Sequence, residues 1–261
     1  MVPFWQEEEM KMENSYIEAL RIQLKNSAKP GINFYLNWIY QLISREFEKD
    51  SEILEIGAGA GISSKYLHGL NVLRTDILGW EENLIVGNIN ATSLHWDDNK
   101  FDGVIAVDCL HHLCRPADGI IEMIRVSKVG ATLVFIEPYV SFFSFPIFKL
   151  FHTERTTWNL KFDFKKDMVS NLPEDGEQSI AQSLFESQDN LIKLRELASK
   201  NFEFSIDHIS PVSFFATGGL TRPLPVSSGL IKIITRIESY IPKKLLRYCA
   251  SRALIVIRII K

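Results

Sequence analysis

The sequence predicts an α/β fold built on a doubly wound, mainly parallel sheet. Three observations predict it. Short apolar runs alternate with amphipathic segments of helical period from residue 51 to residue 138. The first run, Ile53-Leu54-Glu55-Ile56, leads into glycines at every second position, Gly57, Gly59 and Gly61, and then into the helix-like Ile62–Leu67. The connections between runs suit crossovers between parallel strands rather than hairpins.

Composition sets the outer limits. The 261 residues are enough for one sizeable core with room for one extra subdomain. A net charge of −3 gives no support for a nucleic-acid partner. The three cysteines, Cys109, Cys114 and Cys249, lack metal spacing, and their odd number fits reduced thiols in a cytoplasmic protein. The N-terminal MVPFWQEEEMKME is acidic and has no apolar core, so it does not read as a secretory signal. No apolar run is long enough to cross a membrane.

The chain opens with helices. Ile17, Leu20, Ile22 and Leu24 mark one over Tyr16–Lys25, and Phe34, Trp38, Ile39, Leu42, Ile43 and Phe47 mark a second. The first strand ends near Glu55. Its glycine turn lets backbone approach a ligand closely, and a following helix N-terminus favours an anionic group. Read as a dinucleotide fingerprint, the turn fails at its third small position, where Ile62 stands. The second strand, 71–75, ends at Asp76, where a carboxylate can accept from both hydroxyls of a ribose. A third strand over Leu84-Ile85-Val86 is expected, reached by a trimmed crossover. The fourth strand, 101–107, runs into Asp108-Cys109-Leu110-His111-His112. Adjacent histidines make a poor metal pair by spacing, and no metal is expected. His112 is the better-placed general base; packing against the cofactor pocket is the competing role. A helix over 116–125 starts at Pro116, Gly130 lies in the turn after it, and a fifth strand, 132–136, ends in Glu137-Pro138.

The second half carries less pattern. Residues 139–151 are rich in aromatics and read as core or as a lid over an apolar acceptor. Residues 170–190 read as an exposed loop, 181–198 as one or two helices, and 202–206 as a strand. Leu230, Ile233, Ile234 and Ile237 mark a helix ended by Pro242. With Lys232, Arg236, Lys243, Lys244, Arg247 and Arg252, it forms a basic region that suits either solvent or an anionic membrane surface. Residues 253–260 form a closing strand.

The pattern Glu55-x-Gly57-x-Gly59-x-Gly61 resembles motif I of the class I S-adenosylmethionine (SAM) methyltransferases. Ala91, Leu94, Asp98, Phe101 and Asp102, then Leu110-His111-His112 and Glu137-Pro138, resemble the type 11 group, which includes the ubiquinone and menaquinone enzymes. The sequence departs from that group at Asn90, where an aspartate is usual, and at His95-Trp96. The resemblance spans about residues 50–138. It implies a Rossmann-like sheet of order 3-2-1-4-5-7-6 with strand 7 antiparallel. It implies that Glu55, Gly57, Ala58, Gly59 and Gly61 hold the methionine part of SAM, Asp76 the ribose, and Asn90 and Ala91 the adenine, with Asp108 a further cofactor contact. His112, His111 and Glu137, with His152, are candidate bases. One domain is expected over 1–261: a helical cap over 1–50, the SAM core over 51–138, an insertion over 139–200 and closing strands with a basic helical insertion over 201–261. Glu137-Pro138-Tyr139, the Phe151-His152-x-Glu154 element and the Gly218-Gly219 loop resemble methyltransferases found with polysaccharide biosynthesis proteins. This implies O-methylation of a small-molecule, sugar or lipid-linked acceptor. The alternatives are C-methylation of a quinone or lipid, and a degenerate SAM-binding partner subunit.

Overall fold

The computed structural model describes residues 4–80, 85–169 and 175–260, with side chains from residue 15 onward. Its centre is a six-stranded sheet in which β1 (Glu52–Ile56), β2 (Asn71–Thr75), β3 (Phe101–Val107), β4 (Ser127–Pro138), β5 (Phe202–Ile209) and β6 (Arg252–Ile259) take the order β2-β1-β3-β4-β6-β5. The pairs β1–β2, β1–β3 and β3–β4 are parallel, whereas β6 runs antiparallel to both β4 and β5.

Alternation along the strands separates two cores. Leu54, Ile56, Val104, Ala106, Leu133 and Phe135 face α3 (Pro116–Val126), α5 (Ile180–Phe185) and α6 (Gln188–Leu197). Ile53, Ile105, Val134, Ile136, Leu254 and Val256 face α1 (Phe4–Ser27), α2 (Pro30–Ser44) and α8 (Ser228–Glu238). A strand buried on both faces must be apolar at every position, which is why the runs in β1, β3 and β4 are nearly unbroken. Each fully buried Leu, Ile or Phe contributes roughly 1.5–3 kcal/mol. The polar exceptions in these runs, Glu55 and Glu137, therefore have to be explained at the site.

Three expectations need correction. The expected third strand is missing among the described residues: Leu84 lies outside them, and Ile85 and Val86 form only isolated bridges with Trp80 and Thr75. Among the described residues between β2 and β3 there is no crossover helix to hold a strand at that edge. The helix after the glycine turn is a four-residue 3-10 turn, Ile62–Lys65. Ser63 and Ser64 bond locally, to Glu55 and to the Gly61 carbonyl, in place of supporting a longer helix. So short a turn provides no helix dipole for an anion. Third, the segment expected as a loop over 170–190 is structured where described: Glu177, Gln178 and Ser179 are buried and lead into α5. Residues 170–174, including Pro173, lie outside the described residues.

Among the other boundaries, Pro116 opens α3 as expected, but the turn expected at Gly130 is replaced by strand: β4 begins at Ser127, directly after that helix, and Gly130, at φ 87°, lies in its irregular start. The aromatic stretch folds as α4 (Ser144–Phe151), and Pro242 separates α8 from α9 (Lys243–Cys249). A five-residue helix, α7 (Ser213–Thr217), had no signature in the sequence.

Candidate active site

The C-terminal ends of β1, β2, β3 and β4 converge, as crevices in open α/β sheets require. The glycine turn needs its glycines: Gly57, Gly59 and Gly61 have φ of 68°, 51° and 65°. A Cβ on Gly57 would lie 2.4 Å from Cys109 Sγ, so this turn is packed against the end of β3. Glu55 is buried beneath the turn. Ser63 donates to its Oε2, and the Arg74 guanidinium stands 3.5 Å away. Burial raises its pKa to about 7, although Ser63 and Arg74 oppose the rise.

Asp76 follows β2 directly. It is 6 % exposed; Oδ2 accepts from Gly59 N at 2.8 Å and Oδ1 from Leu78 N at 3.4 Å. Burial raises its pKa against those backbone donors. The cover over this corner comes from α1: Leu20 Cδ2 would be 3.8 Å from a Cβ on Gly59, and the Tyr16 phenol pKa is raised by burial and by the Asp76 charge.

Asn90 sits in the loop after β2 with its side-chain carbonyl turned inward on the chain: Oδ1 accepts from Thr92 N at 2.9 Å and from Thr92 Oγ1 at 2.8 Å. Both lone pairs are in use, so taking a hydrogen bond from an adenine amino group requires the Thr92 hydroxyl to turn away. Ala91 is buried beside Gly119 of α3. The loop is fixed by Arg125, which donates to Leu94 O at 2.7 Å and Trp96 O at 2.9 Å, while Glu122 accepts from Leu94 N at 2.9 Å. Asp108, at φ 53°, is paired at 2.5 Å with Arg252 from the first position of β6.

The histidine pair forms a 3-10 turn, Leu110–His112, whose two rings are held by different anchors. Fully buried Glu137 accepts from Cys109 N at 2.9 Å and Leu110 N at 2.8 Å on Oε1, and from His111 Nδ1 at 2.6 Å on Oε2. This explains a carboxylate at the end of the central strand: it caps the turn and orients His111 through three hydrogen bonds inside the protein. Burial opposes charge on His111, yet Glu137 and Glu154 outweigh it and raise its pKa to about 10. His112 Nδ1 lies 3.0 Å from the Asp175 carbonyl oxygen. A carbonyl only accepts, so Nδ1 carries the proton and Nε2 keeps its lone pair. Burial, then the His111 charge, lowers the His112 pKa, which keeps that ring neutral.

Glu154 completes the cluster. Its carboxylate is 3.4 Å from His111 Nε2, 3.7 Å from His112 Nε2 and 3.6 Å from His152 Nδ1. Burial alone would raise its pKa; the three histidines overcome that and bring it to about 2. The segment carrying it is docked by Glu177 N donating to His111 O at 3.0 Å and by a bridge between Arg155 and Glu177. Tyr16, Arg125, Glu154 and Arg252 were missed as site residues because each reaches the site from a distant part of the chain. Only the Phe151-His152-x-Glu154 element carried a signal, and there as an emblem of a subgroup rather than as a ligand set.

Comparison with known proteins agrees with this layout. Residues 54–135 match the model of a family described as a methyltransferase domain, the type 11 group. No curated protein matches the chain. A SAM-dependent methyltransferase from Archaeoglobus fulgidus superposes with a TM-score of 0.51 at 14 % identity, over 86 % of this chain and 93 % of that one. That likeness is one of fold. A Thermotoga maritima SAM-dependent methyltransferase, described as a possible histamine N-methyltransferase, gives a TM-score of 0.49 at 13 % identity, over 95 % and 96 % of the two chains. The glycine turn, the acid at the end of β2, the histidine pair and Glu137 all fall within or at the edge of the matched segment, and that segment, residues 54–135, carries a SAM-dependent methyltransferase domain of the type 11 kind.

Proposed function

We propose that this enzyme methylates an oxygen of a sugar or lipid-linked acceptor, with the acceptor hydroxyl placed at His112. The observation that carries the reading is the fixed state of that ring: neutral, protonated at Nδ1 toward Asp175 O, and partly open to solvent with its Nε2 lone pair available.

The residues present fit the methyl donor. Asp76 is a buried carboxylate oriented by backbone N–H groups, Gly59 on Oδ2 and Leu78 on Oδ1 among them, and such a carboxylate suits a ribose hydroxyl. The three glycines leave the turn without side chains on its ligand side. Gly57, Ala58, Gly59 and Gly61 would hold the methionine part, with Glu55 shaping the turn from below through Ser63. Ala91 would line the adenine, and Asn90 would meet it once Thr92 releases its carbonyl. When bound, the sulfonium supplies an already electrophilic methyl group. The protein then has to align the acceptor oxygen, exclude water and take up a proton. His112 Nε2 takes up the proton; His111 and Glu137 position its turn. Tyr16 and Leu20 of α1 and the aromatic α4 would limit water at the two sides of the crevice.

A lipid-linked acceptor accords with the exposed face of α8 and α9. Leu230, Ile233, Ile237, Leu245 and Tyr248 are exposed there among Lys232, Arg236, Lys243, Lys244 and Arg247. Phe143, itself exposed, bonds through its N–H to Tyr248 O at 3.2 Å, so the aromatic stretch adjoins this face. Apolar side chains ringed by cations suit an anionic bilayer surface. Among the described residues no helix is long and apolar enough to cross a membrane.

The test is calorimetry with SAM on the wild type and Asp76→Ala, followed by methyl-transfer assays with hydroxylated, lipid-linked acceptors on the wild type and His112→Ala. SAM binding weakened about 10-fold or more by Asp76→Ala is expected, from the loss of hydrogen bonds to a charged group. His112→Ala should lower kcat with little change in SAM affinity. Transfer to a quinone or lipid carbon but to no hydroxyl would overturn the O-methylation reading.

A further inference from the structure

We infer that His111, His112 and Glu154 form a binding site for a divalent transition-metal ion of the zinc class. The site uses nothing of the glycine turn, although it shares His112 Nε2 with the base of the proposed function.

The geometry supplies a donor set. His111, His112 and Glu154 each offer one ligand atom, and these atoms lie within 4.8 Å of one another. The carboxylate is 3.4 Å from His111 Nε2 and 3.7 Å from His112 Nε2. Ligands about 2.1 Å from one tetrahedral zinc ion stand roughly 3.4 Å apart, so small side-chain rotations bring all three onto a common ion.

The outer shell is already built. A metal-binding histidine ordinarily donates its other ring N–H to a carboxylate or a backbone carbonyl, which fixes the tautomer and aims the free nitrogen. Both arrangements are present: His111 Nδ1 on Glu137 at 2.6 Å, and His112 Nδ1 on Asp175 O at 3.0 Å. These two anchors overcome the spacing objection. Neighbouring side chains on a short turn diverge by default, yet the two rings are drawn together, with centroids 4.1 Å apart and both Nε2 atoms toward Glu154. Glu154 is held in turn by Gln178 Nε2 and stands 3.6 Å from His152 Nδ1.

Two imidazoles and one carboxylate suit zinc, cobalt(II), iron(II) or manganese(II) far better than magnesium or calcium, which prefer all-oxygen shells. Three protein ligands leave at least one position for solvent or a substrate oxygen, the pattern of a catalytic rather than a purely structural site. The ion uses the His112 Nε2 lone pair, so with it bound the acceptor oxygen meets the ion, and its proton is lost to solvent rather than to that ring.

The experiment uses the full-length chain, stripped with a chelator and titrated with Zn²⁺ by calorimetry and with Co²⁺ by visible absorption. One saturating equivalent is expected, with Co²⁺ bands of a four- or five-coordinate site. Glu154→Gln and His112→Ala should each weaken binding by at least the roughly 10–100-fold that loss of an outer-shell partner costs. Circular dichroism and SAM titration on the same samples show whether a variant has kept its fold. No saturable binding to the wild type, or binding unaltered in both folded variants, overturns the site. The two proposals separate cleanly: metal binding without hydroxyl methylation leaves the ion site standing and removes the acceptor reading, and SAM-dependent hydroxyl methylation by a protein with no metal affinity does the reverse.

Discussion

At the scale of single residues, the site depends on side chains that an apolar strand would ordinarily exclude. Glu55 holds its proton to about pH 7 because burial disfavours its charge. A folded-state pKa above the unfolded value means the native state binds the extra proton. Stability from this group is therefore present at low pH and falls as pH rises from about 4.5 toward 7. Glu55→Gln should flatten that slope, by up to about 3 kcal/mol in total, and urea denaturation across this window measures it. Gly57→Ala should cost more than a typical surface change. Its φ of 68° disfavours any Cβ, and that atom would meet Cys109 Sγ at 2.4 Å. A loss of about 2 kcal/mol or more is expected by thermal melting, together with weaker SAM binding.

Elements act as carriers that bring such residues into register. The 3-10 turn Leu110–His112 hangs on one residue: Glu137, from the neighbouring strand, accepts from the Cys109 N–H that precedes it, from the Leu110 N–H and from the His111 ring. Glu137→Ala leaves the buried His111 Nδ1–H and two backbone N–H groups without their acceptor, for an expected loss of about 3–5 kcal/mol in chemical denaturation. The His111 pKa of about 10 lies above its unfolded value, so its contribution is complete below about pH 6.5 and is lost as pH rises through about 10. The helices α8 and α9 carry the surface-binding prediction. The chain should co-sediment with anionic vesicles at low salt, and Lys243→Glu with Lys244→Glu should abolish this, each surface cation being worth roughly 1 kcal/mol. Equal recovery with neutral and anionic vesicles would rule out the electrostatic part of that contact.

At the scale of the whole molecule, the last strand closes the sheet and also reaches the site. Arg252 is 4 % exposed, pairs with Asp108 at 2.5 Å, and stacks over the Phe214 ring with its guanidinium carbon 4.7 Å from the ring centroid. It links β6 to the tip of β3, the two ends of a long chain path. Arg252→Ala should cost about 1–3 kcal/mol and also weaken SAM binding, because Asp108 at φ 53° loses the partner that holds it. Equilibrium unfolding and SAM calorimetry on one sample check both effects.

The sequence by itself determined the αβ order, the strands over 71–75 and 101–107, the helix opened by Pro116, the glycine turn and the acid after β2. Each of these rests on short-range physics: side-chain period, proline and glycine backbone limits, and polar residues at strand ends. The tertiary structure decided what depends on distant segments meeting. It reduced the expected third strand to bridges among the described residues, where no crossover helix holds it at the sheet edge. It shortened the helix after the glycine turn, where Ser63 turns to Glu55 instead of capping. It also showed Glu137, a candidate base in the sequence, bonded to Cys109 N, Leu110 N and the His111 ring. Above all, it placed Glu154 against two histidines more than forty positions earlier. No local pattern encodes that encounter: it arises from the docking of the Arg155–Glu177 bridge onto the end of β3, a long-range contact set by packing.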